Sequence, residues 1–298
     1  MSSLYIKTTV IGLIFICFCH NLSAQKQYKK RHKKLYEKRY EVLFYGGGGM
    51  STLQYNVTTG KQTDGFGGQV GVNYNFLFIK KLALKTGVEF SLYSASFAWD
   101  NLSTRFIATD IENTVFEFRS AIDKYVEKQY LVMLQIPLML QFQVGKNHQF
   151  YAAAGGKVGI PIHVNYNSRG TNIQNSGYYT EEDYKYTTQL FMGFGQFSGS
   201  NGKLKLKTAF MVSAEIGAKW VMQDGYKFYT GVYVDYGLNN IAAPQTSPPP
   251  FIAYNTARPA DFAINGIFQS QYSQNNEMQS FTKKIVPMTA GLKLIFAF

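Results

Sequence analysis

Alternation with a period of two residues constrains this chain more than any other feature in it. In Gly65–Phe76 the even positions Phe66, Val70, Val72, Tyr74 and Phe76 are apolar, while the odd ones include Gly67, Gln69, Gly71, Asn73 and Asn75. Successive side chains of a β-strand point to opposite faces, so this segment carries one apolar and one polar face. One or two such strands would suit a soluble sandwich. Here the pattern recurs in Leu82–Phe97, Gln129–Val144, Gln149–Asn165, Lys207–Met222, Lys227–Asn240 and Ile285–Phe298. It is weaker in Val42–Asn56, where Gly46–Gly49 blurs it. Eight stretches of this kind exceed the usual soluble strand of about six residues and fit the ~9–11 that a tilted strand needs to cross a bilayer.

The connections alternate as strictly as the residues. Short turns are expected at Ile79–Lys81, Gly145–His148 and Gln223–Tyr226, the last holding the hairpin pair Asp224-Gly225. Longer connections are expected at Val57–Asp64, Ala98–Lys128, Tyr166–Leu206 and Ile241–Lys284. The fold class that follows is all-β: an eight-stranded antiparallel up-and-down transmembrane β-barrel with long extracellular loops and both termini in the periplasm. Aromatic residues support it. Phe76, Phe78, Phe142, Phe150, Trp220, Phe228, Phe296 and Phe298 occupy the apolar phase near the short-turn ends or the C-terminus, as a girdle at one membrane interface would. A soluble barrel or sandwich, the competing architecture, gives no reason for loop lengths to alternate.

Residues 1–24 read as a signal peptide, with Lys7 ahead of the apolar core Val10–Phe18 and a small-residue end at Leu22-Ser23-Ala24. That core is about half the ~20 residues of a helical span. Cys17 and Cys19, the chain's 2 cysteines, lie in it or beside it, so the exported part is expected to hold no disulfide, thiol nucleophile or cysteine metal site. In residues 25–41, a basic periplasmic segment, Lys26, Lys29, Lys30, Arg31, Lys33, Lys34, Lys38 and Arg39 face Glu37. More than half of the net +12 therefore sits in one short stretch. This is a solvated tail or a contact with anionic headgroups or cell-wall polymer, and export argues against nucleic acid as a partner. Residues 42–298 are the barrel.

The last strand, Met288 to Phe298, ends on a terminal Phe with Leu292, Leu294 and Phe296 alternating before it. It resembles the C-terminal insertion signal of outer-membrane proteins, which implies the barrel-insertion machinery as a partner. The run Gln135-Ile136-Pro137-Leu138-Met139-Leu140-Gln141-Phe142, the turn after it, Ala154-Gly155-Gly156 and the terminal Gly291-Leu292-Lys293-Leu294 resemble the PorT-like outer-membrane β-barrel family. The resemblance covers roughly residues 41–298. It implies the layout of the small barrels OmpA and OmpX, a seat in outer-membrane lipid of a Gram-negative cell, and a family in which PorT is associated with type IX secretion.

Phase places Lys85, Glu89, Lys157, Glu215, Lys219, Asp235 and Lys293 inside the barrel, with Lys85 and Lys293 nearer the periplasm. An eight-stranded barrel is just wide enough for side chains to fill, so these charges are expected to pair as a structural plug; a gated ion path is the alternative. His163 is expected in the lumen near the outer end, with Ser91, Ser94 and Ser96 as neighbours of a lipid-modifying site. No spacing ties them together, and no catalytic constellation, metal site or cofactor motif stands out, so the chain is expected not to be an enzyme. Pro137, Pro161 and Pro287 each remove a ladder donor and predict bulges or frayed pairing. Ile241–Lys284 holds Phe251, Tyr254, Phe262, Ile264, Ile267, Phe268 and Phe281 with few charges. It either caps the mouth or presents an apolar surface to a partner. In Tyr166–Leu206, Ser200-Asn201-Gly202-Lys203 predicts a hairpin tip, and Thr114–Lys128 an outward extension of the fourth strand. Function is expected in binding, assembly or envelope integrity, with a protein partner at loops 166–206 and 241–284, in a secretion or uptake complex. A small conduit and a lipid-modifying enzyme are the alternatives.

Overall fold

The computed structural model describes residues 39–57, 59–145, 148–187, 194–222, 226–244, 246–258, 263–274 and 277–298. The signal peptide, most of the basic segment, the Asp224-Gly225 turn and Phe262 lie outside these residues. In chain order the strands are β1 (Tyr40–Val57), β2 (Lys61–Ile79), β3 (Leu82–Thr109), β4 (Val115–Gly145), β5 (His148–Tyr179), β6 (Tyr184–Tyr186), β7 (Phe194–Lys203), β8 (Ala209–Val221), β9 (Lys227–Gly237), β10 (Ile252–Ala253), β11 (Ala263–Ile264), β12 (Gln271–Gln274), β13 (Glu277–Ser280) and β14 (Thr282–Ala297). Eight of them close a ring, β1-β2-β3-β4-β5-β8-β9-β14 and back to β1, with every neighbour antiparallel. A closed ring leaves no backbone edge unpaired, which is what allows β structure to sit in hydrocarbon.

The apolar phase faces outward. Phe66, Val70, Phe90, Leu138, Phe150, Phe210, Ile216, Val232 and Leu292 are all exposed, as a lipid-facing surface requires. On β8 the outward run Phe210–Trp220 makes ten rises of about 3.3 Å at a tilt of roughly 40°, or about 25 Å, the height of an apolar band. At the short-turn end the register aligns Phe44 with Phe296, Phe296 with Phe228, and Phe228 with Trp220, one aromatic row across four adjacent strands.

The long connections are mostly strand. β3, β4 and β5 run for 28, 31 and 32 residues and stand as a three-stranded wall beyond the apolar band. The fourth strand does extend outward, from Val115. The first long connection does not exist as such, because only residues 58–60 separate β1 from β2. Ser200-Asn201-Gly202-Lys203 is not a hairpin tip: these residues pair with Ser168, Asn167, Tyr166 and Asn165 of β5. Along its far edge β5 is covered in turn by β6, β7 and β8, so one interrupted strand replaces the projecting hairpin.

The prolines act locally. The β4–β5 register shifts where Val132 faces His163 and Met133 faces Pro161, a bulge at Pro161. Opposite Pro137 the β3–β4 pairing lapses between Thr86↔Leu138 and Glu89↔Gln135 without a shift, and β9–β14 pairing begins at Met288, just past Pro287. Higher up, Asn101 and Asn172 take left-handed φ values of 54° and 51°, a conformation asparagine tolerates. There the inward phase switches, so Leu102 and Ile173 face inward where strict alternation would turn them out.

Candidate functional site

Inside the ring lies a layer of buried ions. Lys157 reaches Glu89 at 2.7 Å and Asp235 at 2.8 Å. Glu215 takes Lys85 and Lys293, both at 3.1 Å on the same oxygen. Lys219 turns instead to Glu41 at 2.9 Å, an acid at the start of β1 that phase reading left among the basic tail. Lys227 meets the same Glu41 oxygen from the rim. Lys85 and Lys293 thus share one layer with Glu215 rather than lying below it. With Glu41 counted, four buried lysines meet four buried carboxylates.

Hydroxyls and aromatic faces complete the coordination that ions taken out of water need. Tyr45 donates to Glu89 at 2.5 Å, Tyr151 to Glu215 at 2.8 Å, Ser213 to Asp235 at 2.5 Å and Tyr229 to Glu41 at 2.6 Å. The Lys293 ammonium sits 4.3 Å from the Tyr45 ring centroid. Two inward glycines make room for these rings. A Cβ on Gly71 would come within 2.6 Å of the Tyr45 hydroxyl oxygen, and one on Gly231 within 2.4 Å of that of Tyr151. Gly46–Gly49 does similar work: a Cβ on Gly47 would meet Leu292 O at 2.8 Å.

Between the Glu41–Lys219 pair at the short-turn end and the other ions, Leu43, Tyr45, Tyr151, Tyr229, Ile295 and Ala297 form a small apolar cluster. Above the ions lies a larger one, built by the wall and by the segment before β14. Phe251, Ile252, Ile264, Ile267, Tyr272 and Phe281 are buried against Phe97, Tyr125, Phe116 and Phe118. Phe251 packs 5.1 Å from Tyr125 and 5.0 Å from Phe281, and Phe268 packs 4.9 Å from Tyr55, ring centre to ring centre. Of the two readings of Ile241–Lys284, the cap is the one these contacts give. Glu127 stands in this seal, accepting from Tyr125 at 2.8 Å, Gln129 at 2.9 Å and the Ile267 amide of the cap at 3.1 Å. Burial pushes its carboxyl up to about 7, against the pull of these three hydrogen bonds.

His163 is not in the lumen. The bulge at Pro161 pairs it with outward-facing Val132, and it is exposed. The same switch turns Val164 in and Asn165 out. Ser94 and Ser96 lie on β3, with β4 between them and His163, and Ser91 is a lumen donor to Glu89 at 3.0 Å. Leu292, Leu294, Phe296 and Phe298 all project outward from the last strand, with Phe298 against Phe44 and Tyr226.

Several solved structures align with the chain. Ail, the attachment invasion locus protein of Yersinia pestis, in complex with the heparin analogue sucrose octasulfate, is 11% identical, with 87% of this chain and 99% of that one covered and a TM-score of 0.31. Neisserial surface protein A is 8% identical, with 87% and 96% covered and a TM-score of 0.30. A major outer membrane protein from Thermus thermophilus is 11% identical, with 87% and 99% covered and a TM-score of 0.31. No curated protein matches. Residues 23–243 match the family described as outer membrane protein beta-barrel domain. With that match and a closed eight-stranded ring girdled by apolar side chains, the chain belongs to the outer membrane protein β-barrel family, and the outer membrane is where it sits.

Proposed function

We propose that this barrel is a non-conducting, non-enzymatic outer-membrane component that acts by binding at its long-strand end, as a subunit of a secretion or uptake assembly or in envelope integrity. One observation carries the reading: the bore is filled at two heights, by the ion layer and by the apolar cap. What remains available to other molecules is the exposed face of the wall and cap. In this reading the long-strand end faces outside the cell, both termini lie in the periplasm, and the insertion machinery reads Leu292, Leu294, Phe296 and Phe298. Partners are expected at the 166–206 and 241–284 segments, among whose described residues Tyr166, Ile173, Tyr179, Phe251, Ile252, Ile264, Ile267, Tyr272 and Phe281 are buried, so recognition there falls to the polar residues around them. The assembly role rests on the PorT-like resemblance of Gln135–Phe142 and Gly291–Leu294. Catalysis has no support from the outward His163, which a strand separates from Ser94 and Ser96.

The test uses the absence of cysteine after residue 19. A single Glu112→Cys at the exposed β3–β4 tip carries a photocrosslinker on intact cells. A discrete crosslinked envelope protein, together with no conductance steps in planar bilayers, is the expected result. Regular conductance steps from the wild-type barrel would defeat the reading. Labelling of Glu112→Cys only after the outer membrane is broken would reverse the orientation.

A further inference from the structure

Among the described residues, the outer surface of the ring opens at the junction of β5, β7 and β8. β8 stays with β5 only up to Gly159↔Ala209, and β7 takes over at Asn165↔Lys203. Between them, where Pro161 has no amide hydrogen to give, the amide of Leu204 bonds Val164 O at 3.1 Å. A groove of about 520 Å³ opens there on the outside of the barrel. Its lower wall is Ile160, Pro161 and Phe210, continuous with the lipid-facing apolar surface, and its upper wall is Lys207, Thr208 and Asn239. The walls are built: Asn239 accepts from the Phe210 amide at 2.7 Å and donates to Thr208 O at 2.9 Å, and the Lys207 amide bonds Ile241 O at 2.7 Å.

Lys207 also lines a second recess, about 690 Å³, between the cap and the barrel rim. Lys283 lies there with Gln269, Ser270, Gln279 and Thr282, a set of hydroxyls and carboxamides around two ammonium groups. Exposed Lys203, Lys205 and Lys284 stand on the same stretch of rim. Among the described residues no carboxylate lines either cavity, and Glu215 and Asp235 of the strands below are turned into the lumen. From bottom to top the surface therefore reads apolar, cationic, then mixed, the recess being lined by these hydroxyls and amides together with Pro244, Pro248, Phe268 and Met278.

We propose that the junction of β5, β7 and β8 binds a phosphorylated glycolipid of the surrounding leaflet. The acyl chain lies on Ile160, Pro161 and Phe210, the phosphate against Lys207 and Lys283, and the sugar in the recess beside the cap. The order of chemistries matches that of such a lipid standing in the membrane, and cations just beyond an apolar band attract anionic headgroups. This extends the proposed function by naming a ligand for the rim, and it rests on the proposed orientation only for which leaflet supplies the lipid. Labelling at Glu112→Cys tests that orientation separately.

The experiment is retention of lipid by the full barrel in nanodiscs, read by native mass spectrometry. The probes are bisphosphorylated lipid A and the same lipid A with its phosphates removed. Wild type is expected to retain the phosphorylated form on the order of tenfold better, and Lys207→Gln with Lys283→Gln to lose that preference. Lys124→Gln with Lys128→Gln, on the outward side of β4, is expected to keep it. Equal retention of both lipids by wild type, or an undiminished preference in the Lys207/Lys283 variant, overturns the proposal. Loss of the preference on adding inorganic phosphate alone would make this a free-anion site and overturn the lipid assignment.

Discussion

Replacing Glu215 with Gln tests the ion layer at the point where the structure makes it most vulnerable. The carboxylate is the common counter-ion of Lys85 and Lys293, each 3.1 Å away, with all three side chains almost wholly shielded from solvent. At an effective dielectric of about 20, one unit pair at that distance attracts by roughly 5 kcal/mol. Desolvation of three ions offsets much of the doubled attraction, so the net worth of the triad is small. Removing only its centre is different, because two ammonium groups are then left facing each other with no directly bonded anion, Glu89 acting on Lys293 only from a distance while it serves Lys157. The expected loss is about 3–5 kcal/mol, limited by release of a proton from one lysine. Denaturant unfolding of barrels refolded into vesicles, followed by fluorescence of Trp99 and Trp220, measures it. The triple variant Lys85→Met, Glu215→Gln, Lys293→Met removes the whole triad and is expected to return to within about 2 kcal/mol of wild type. Lys219→Met combined with Glu215→Gln is expected to be additive, since Lys219 bonds Glu41 and not Glu215. A cost below about 1 kcal/mol for Glu215→Gln, or a triple variant no better than the single, would falsify the dry-triad argument and point to a hydrated lumen.

Other outcomes follow from the outer surface and the cap. Phe296→Asp with Phe298→Asp places two charges on the aromatic row and in the expected insertion signal; outer-membrane fractions should lose the protein, and normal surface levels would remove Leu292, Leu294, Phe296 and Phe298 from any role in insertion. Glu127, held up at about 7 against an ordinary value of 4.5 by its burial, which the cap completes, favours the capped state most below pH 4.5 and loses that contribution as pH rises through 7. Protease protection of the cap should therefore weaken from pH 5 to pH 8 in wild type but stay level in Glu127→Gln, and identical pH profiles would rule the coupling out. Gly231→Val sets a side chain against Tyr151, whose hydroxyl oxygen is 2.4 Å from the would-be Cβ, and should cost about 1–3 kcal/mol in the same unfolding assay.

How much could be read in advance follows from where the two-residue period holds. Within the bilayer the lipid enforces it, because an outward polar residue is costly, so strand order and the inward positions of Lys85, Glu89, Lys157, Glu215, Lys219, Asp235 and Lys293 follow from counting. Pairing does not, because which inward residues meet depends on the stagger between strands. Lys219 and Lys157 sit nearest Glu215 in a count along the chain, yet the register delivers Lys85 and Lys293. Glu41 was hidden by its neighbours, since the run of lysines and arginines before it reads as tail. The single residue inserted at Pro161 was enough to turn His163 from the lumen to the lipid side. Pro161 itself was the available signal, but the direction of the switch needs the partner strand. Beyond the bilayer the enforcing solvent is gone. There Asn101 and Asn172 can switch phase, and β3, β4 and β5 continue as strands through segments whose composition reads as loop.

The two seals in the bore differ in what it takes to open them. The ion layer is held by side chains from β1, β3, β5, β8, β9 and β14, so it cannot come apart without loosening the ring, and its opening free energy approaches that of the whole barrel. The cap is joined to the ring differently. β10 pairs with β11 and β12 with β13 in separate two-stranded sheets that share no ladder with the barrel. Its attachment is a set of apolar contacts plus a few bonds to the wall, such as the Ile267 amide to Glu127 and the Thr256 hydroxyl to Thr109 O. Those can be lost while every ring hydrogen bond stays in place. The cap is therefore the element on which a ligand at the rim, or a change of pH at Glu127, can act. Because the ion layer lies beneath it, lifting the cap exposes Phe97, Tyr125 and their neighbours while the ion pairs stay in place.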